Sequence, residues 1–327
     1  MLNFCTLFDK NYLSKGLALF ESLNRHCDKM SIYVLCLDDF TFNYLSQSAI
    51  KNITPIPLPA LEDFDKELLA AKNNRTLVEY YFTISPCLPL FLLKNNPELK
   101  WICSLDADIY FYDNPKPIFD SFEKKYSILI TPHKFTPELL ATEIDQYGIF
   151  NVSFQAFKND SAGLDCLEKW RLNCISWCKN EYDSRNHRFA DQKYLDTWLS
   201  DFPNKVMILD DEISGLAVWN INNYELSFKD NNLFSNGKRI IFYHFHALNT
   251  FDEKLNERVF QRYKVLKNDI IDSYIYNPYI YKIKCLNTDL IVFKNKYLKF
   301  LAFMDKKLFY NIFVLAKKLE RRIFKKS

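Results

Sequence analysis

The stretch WICSLDADIYFYDNP, Trp101 to Pro115, decides how this chain is read. Its first five residues form an apolar run suited to a strand buried on both faces. The run stops at Asp106 and Asp108, turns aromatic again, and is broken by Asn114 and Pro115. In open parallel sheets, ligands bind beyond the carboxyl ends of strands, where loops and helix N-termini meet. Side chains two apart on a strand share a face, so both carboxylates are expected to address one ligand. Converging carboxylates repel each other unless a cation lies between them. Mg²⁺ or Mn²⁺ is the natural partner, taking carboxylate oxygens and completing its shell with phosphate. The bland alternative is that one Asp caps a turn and the other is solvated, since a DxD triplet is common by chance. Packing, however, does not explain carboxylates beside a buried strand, because buried acids almost always have partners.

The text on either side supplies the sheet. LNFCTLF reads as a first strand, and Leu13, Leu17, Phe20 and Leu23 recur at helical spacing after it. SIYVLCL and ITPIPL are further strands, separated by helical segments at 41–51 and 62–72. A helix over 76–94 carries Pro86 and Pro89, which predicts a kink or break. This alternation predicts βαβ units and an α/β fold with a mostly parallel sheet flanked by helices. Beyond Asp108, YSILIT, FNVSFQAF, KVMIL, YELSF and RIIFYHFH read as strands, with a helix from about Ser161 to Asn180 and another after RFADQKYLDTW. The sheet pattern ends near Lys254 to Lys264, which predicts a domain over 1–258 and a helical, basic, amphipathic extension over 259–327.

Composition narrows the function. The 327 residues carry a net charge of only +3, which argues against a nucleic-acid partner. The charge is uneven: Lys294 to Ser327 hold eleven Lys and Arg against Asp305 and Glu320, a net of +9, leaving −6 for the rest. In that tail, Leu298, Leu301, Leu308, Phe309, Ile312, Phe313, Ala316 and Leu319 fall near one helical face. A basic helix rich in Phe and Leu reads as an anchor to an anionic membrane surface; packing on the preceding domain is the alternative. No run is long and apolar enough to span a bilayer. Nine scattered cysteines and no signal-like N-terminus make a cytoplasmic location the default. Cys166, Cys174, Cys178 and His187 match no structural zinc spacing and are expected to be buried thiols and a histidine of no metal role. With five glycines, the chain has neither GxGxxG nor GxxxxGK[ST].

SLDADIYFYDNPKPIF resembles the DxD segment of nucleotide-sugar glycosyltransferases of the GT-A fold, and is most similar to bacterial family-eight-like retaining enzymes and nucleotide-diphospho-sugar transferases. FCTLFDKNYLSKGLALFESL, EYYFTISPCLPLFLL, TPHKF, FNVSFQAF, RFADQKYLD, LAVWNI and YHFHAL agree in order and approximate spacing, covering about residues 3 to 248. The resemblance implies transfer of a hexose-type sugar from a nucleotide-diphosphate donor, a UDP-sugar, to a glycan or lipid-linked glycan with retention. It also implies that Asp106 and Asp108 hold the metal, with His244 or His246 completing the shell. Asp191 and Gln192 inherit the sugar-binding and anomeric-carbon positions of RFADQ; a helix N-terminus is their structural alternative. Thr6 and Tyr12 resemble base and ribose contacts, and Asn151 a donor-sugar contact. His133, Trp219 and Asn220 are expected to line the cleft, and Arg75 to face phosphate or solvent. HALNTFDEK has no obvious equivalent of the family's diphosphate lysine. A lipid-linked acceptor and the basic tail together place the chain at the cytoplasmic face of a bacterial inner membrane, in lipopolysaccharide or capsule synthesis. The competing classes are a nucleotidyltransferase, which normally needs a Gly-rich and basic phosphate loop, and a catalytically silent glycan-binding protein.

Overall fold

The computed structural model describes residues 1–293 and 295. The chain starts with β1 (Leu2–Phe8), the helix Leu13–His26, β2 (Met30–Cys36), the helix Asp39–Gln47 and β3 (Ile53–Pro57). These strands pair in parallel, Leu2 opposite Met30 and Ile32 opposite Ile53. The helix expected over 76–94 with a kink or break is broken into two, Leu77–Ile84 and Cys87–Asn95. Pro86 is the reason: it has no amide hydrogen for the first helix and sits at the N-cap of the second.

β4 (Trp101–Leu105) then lies parallel to β1, Phe4 opposite Cys103. After the two aspartates, β5 (Ile109–Phe111) leaves this sheet. β6 (Ile128–Pro132) and β7 (Phe150–Lys158) follow, and β7 runs antiparallel between β4 and β6. A small hairpin of β8 (Tyr182–Asp183) and β9 (Arg188–Phe189) precedes β10 (Val206–Ile208), which is parallel to β6. The seven-stranded sheet has the order β10-β6-β7-β4-β1-β2-β3 and is mixed, mostly parallel, as expected. Between β9 and β10 the expected helix is a 3-10 turn, Lys193–Thr197, and the short helix Trp198–Asp201.

The second half adds β11 (Leu216–Ala217), the antiparallel strands β12 (Leu226–Lys229), β13 (Asn232–Ser235) and β14 (Lys238–Arg239), and β15 (Phe242–His244). β15 pairs in parallel with β11 and antiparallel with β5, His244 opposite Ile109. Strand alternation divides the core between the two faces of the main sheet. One face buries Phe4, Phe111, Phe119, Phe154 and Phe242, and the other Ile102, Phe157, Trp170 and Trp198. A third cluster joins Leu216, Tyr243 and Phe245 to Phe260, Ile271, Ile275, Tyr276, Tyr279 and Ile283. Its last members come from the helix Glu253–Arg262 and from a helical stretch over 269–293 that contains a π turn at Ile271–Tyr276. Phe245 stacks on Tyr279 with ring centroids 3.7 Å apart. Among the described residues no helix is long and apolar enough to cross a membrane. The basic amphipathic face expected between 297 and 324 lies outside the described residues.

Candidate active site

β4 ends at Leu105, so Asp106 and Asp108 stand in the turn into β5 and not along a strand. Strand alternation is therefore not what brings them together. The turn does it, closed by the Ile109 amide donating to the Asp106 carbonyl at 3.3 Å. The β5–β15 pairing then delivers His244, and the Phe245 amide donates to the Asp108 carbonyl at 2.9 Å. His244 Nε2 is 3.1 Å from Asp108 Oδ1 and 3.5 Å from Asp106 Oδ2. Ligand atoms of Asp106, Asp108 and His244 all lie within 4.8 Å of one another. A six-coordinate ion with bonds near 2.1 Å places adjacent ligand atoms about 3 Å apart, so the two imidazole–carboxylate separations fit its edges. Two carboxylates and one imidazole suit Mg²⁺ or Mn²⁺.

His246 falls outside this group. β15 ends at His244, and His246 enters a turn in which Ala247 adopts a positive φ of 55°. The two histidines consequently share no strand face. The His246 ring packs edge-on to Trp219 at 5.2 Å and lies 6.2 Å from the Tyr263 ring. Burial pushes its imidazole down to about 4, which leaves it neutral at physiological pH.

The electrostatics centre on Asp108. Burial disfavours its charge, but the Lys15 ammonium, 3.5 Å from Oδ2, and His244 outweigh burial and hold the carboxyl well below its usual range. His244 is the reciprocal case. Burial pulls its imidazole down, yet the Asp108 and Asp106 carboxylates raise it overall. Asp106, with 41% of its side-chain surface exposed, is raised by enclosure and by the carboxylates of Asp108 and Asp191, with His244 opposing. Burial also raises Asp191 to about 6 against a hydrogen bond from Ser85, and its Oδ2 has no partner. Lys15 was not singled out by sequence. The signal was topological: it sits on the first turn of the helix that follows β1, and β1 is the strand next to β4.

Thr6 is buried on β1 with Oγ1 unpartnered, and Tyr12 is the exposed N-cap of the following helix. Asn151 Oδ1 accepts from the Ser153 hydroxyl at 2.6 Å and amide at 3.0 Å, so this amide first holds its own strand. His133 Nδ1 is 3.0 Å from the Gly148 carbonyl, which can only accept, so Nδ1–H donates; burial pushes the ring down to about 3. The His133 carbonyl accepts from Trp219 Nε1 at 2.7 Å and from Asn220 Nδ2 at 2.9 Å. Trp219 also meets the His244 ring edge-on at 5.3 Å, tying this wall to the acidic pair. Asp191 is held through its carbonyl, which accepts from Trp170 Nε1 at 2.8 Å, and Gln192 donates to the Tyr147 carbonyl at 2.8 Å. The Arg75 guanidinium donates to the Cys174 and Ile175 carbonyls at the end of the helix Ser161–Ser176. Cys166, Cys174 and Cys178 are buried, while His187 is exposed in the β8–β9 turn.

No protein-family model matches the sequence. The chain is 34% identical over 248 residues to the uncharacterized protein YfnF of Bacillus subtilis (strain 168), covering 74% of this chain and 80% of YfnF. The chain belongs to the YfnF family. The uncharacterized protein YfnD of the same organism is 29% identical over 282 residues, covering 86% of this chain and 88% of YfnD. Among solved structures, this YfnF-family chain resembles the galactosyltransferase LgtC in complex with donor and acceptor sugar analogs, with a TM-score of 0.52 at 13% identity, over 82% of this chain and 99% of that one. The likeness places the chain in the GT-A fold.

Proposed function

We propose that the chain is a metal-dependent glycosyltransferase that moves a hexose-type sugar from a nucleotide-diphosphate donor, a UDP-sugar, to a glycan or lipid-linked glycan, with retention. The observation that carries this reading is the convergence of Asp106, Asp108 and His244 just past the carboxyl end of β4 in a GT-A fold. The fold's solved neighbour LgtC was obtained with donor and acceptor sugar analogs, which supports a donor and an acceptor here as well.

In this reading Asp106, Asp108 and His244 hold Mn²⁺ or Mg²⁺. An ion held there would supply Lewis acidity to the leaving diphosphate. The unpartnered Asp191 oxygen accepts a donor-sugar hydroxyl, and Gln192 borders the anomeric carbon. Thr6 and Tyr12 face the base and ribose, while His133, Trp219 and Asn220, joined at the His133 carbonyl, shape the sugar-side wall beside Asn151, whose amide donates to the Pro132 carbonyl. The tail's net +9 draws the cleft to an anionic membrane surface, where a lipid-linked acceptor for lipopolysaccharide or capsule is presented at the cytoplasmic face.

The test is a panel of nucleotide sugars with Mn²⁺, read as release of the nucleoside diphosphate, beside Asp108→Asn. Wild type is expected to release UDP, and the folded variant to lose about 10²-fold or more in rate, the scale of a lost electrostatic stabiliser. Pyrophosphate release from a nucleoside triphosphate and a sugar phosphate would instead support nucleotidyl transfer. Undiminished turnover by Asp108→Asn would remove the metal site from the mechanism.

A further inference from the structure

Lys15 is the only buried lysine among the described residues, 7% exposed. Burying an ammonium is costly unless it is paired and hydrogen-bonded. Lys15 is only partly so: of its three donors, one reaches Asp108 Oδ2, at a long 3.5 Å, and the Tyr12 ring centroid lies 4.2 Å away. It also borders a cavity of about 540 Å³. Tyr12, Lys15, Asn249, Arg258 and Arg262 are among the lining residues, and no Asp or Glu is. Arg262 is engaged with Glu143 and the Tyr147 hydroxyl, whereas the Arg258 guanidinium has no hydrogen-bond or ion-pair partner among the described residues. Lys254, the lysine of HALNTFDEK, does not line this cavity. An acid-free, cationic cavity thus adjoins a triad built for a cation, and Lys15 belongs to both.

We propose that Lys15 is an exchangeable counter-ion. Without a divalent ion its ammonium neutralises Asp108; when the ion occupies Asp106, Asp108 and His244, the ammonium passes to a diphosphate in the adjoining cavity, which Arg258 also lines. The proposal rests on the nucleotide-diphosphate reading of the site and names the residues that take the place of the missing diphosphate lysine. The physical reason is charge balance. A divalent ion on the same carboxylates puts like charge beside Lys15, and a diphosphate relieves that repulsion. Metal and diphosphate therefore bind with positive coupling, and by linkage each tightens the other equally.

The experiment uses the full chain, with Lys15→Met and Lys15→Arg checked for folding by thermal unfolding. Mn²⁺ binding is read by electron paramagnetic resonance, and binding of pyrophosphate and of UDP by calorimetry with and without Mn²⁺. Wild type is expected to bind both anions about tenfold or more tightly with Mn²⁺ present, the scale of a hydrogen bond to a charged group. Lys15→Met should bind Mn²⁺ alone at least as tightly as wild type, since the competing ammonium is gone. It should also lose about tenfold in Mn²⁺-dependent pyrophosphate affinity, which Lys15→Arg restores in part. Unchanged anion affinity in Lys15→Met, or loss of Mn²⁺ binding by itself, would make Lys15 a fixed structural partner of Asp108 and overturn the exchange. A wild type that binds Mn²⁺ but neither UDP nor pyrophosphate overturns the nucleotide-donor reading itself.

Discussion

Asp191 is 2% exposed, and the one oxygen left without a partner is what a donor hydroxyl would meet. The same isolation costs stability. Its pKa is raised from 3.8 to about 6, so the folded chain keeps a proton that the unfolded chain releases. Stability therefore falls as pH climbs through that window, and below it the effect vanishes. Asp191→Asn keeps the neutral form at every pH. It is expected to be more stable than wild type at pH 8 by up to about 3 kcal/mol, with no gain at pH 3, by denaturant unfolding. Equal stability at pH 8 would mean that Asp191 is solvated. The variant should also transfer poorly while still binding UDP, because only the sugar contact is lost. Of the site residues, the paired acids Asp106 and Asp108 were legible in sequence, since two carboxylates beside a buried strand demand an explanation, while Asp191 entered only through the resemblance of RFADQKYLD. Lys15 was not legible, because a lysine after the first strand follows no pattern. Asn220 was expected to line the cleft, and its amide is engaged within the protein, Oδ1 accepting from the Ala217 amide and Nδ2 donating to the Gly215 and His133 carbonyls.

The element that sets Asp191 is the helix Ser161–Ser176. It docks on β7 so closely that a Cβ at Gly163 would stand 2.2 Å from the Lys158 carbonyl oxygen. On that helix, Trp170 packs against Phe157 and Trp198 and donates to the Asp191 carbonyl. Trp170→Phe is expected to cost about 1–3 kcal/mol, from the lost hydrogen bond and the space left by the indole. It should lower transfer rate more than UDP affinity, measured side by side; equal losses would show that the helix supports the whole fold and not Asp191 in particular. The longer elements were readable because periodicity accumulates over many residues, as in Leu13–His26 and Phe150–Lys158. The short ones were not. Three residues in β5 and three in β15 carry too little pattern to reveal that β5 abandons the main sheet or that β15 stops at His244.

At the scale of the molecule, the third core cluster makes residues 260–283 part of the packing around Tyr243 and Phe245, one residue on either side of His244. Removing 259–327 strips Phe260, Ile271, Ile275, Tyr276, Tyr279 and Ile283 from that cluster, and each large buried side chain contributes about 1.5–3 kcal/mol. A 1–258 fragment is therefore expected to unfold or aggregate. A 1–293 fragment should keep its melting transition and bind UDP with Mn²⁺, but lose sedimentation with anionic liposomes, because its net charge is −6. Full-length sedimentation should weaken with salt, since screening acts within about 8 Å at physiological ionic strength. A stable, nucleotide-binding 1–258 fragment would move the domain boundary to where the sheet pattern ends. By itself the sequence determined the strand–helix alternation, the mostly parallel sheet, and two carboxylates at the end of β4. These are local or periodic properties, written in consecutive residues. Tertiary structure decided which histidine meets those carboxylates, which lysine neutralises them, and that residues 260–283 close the core behind them. Each joins positions far apart in the chain, 93 residues between Lys15 and Asp108 and 136 between Asp108 and His244, through pairings that only the folded sheets create.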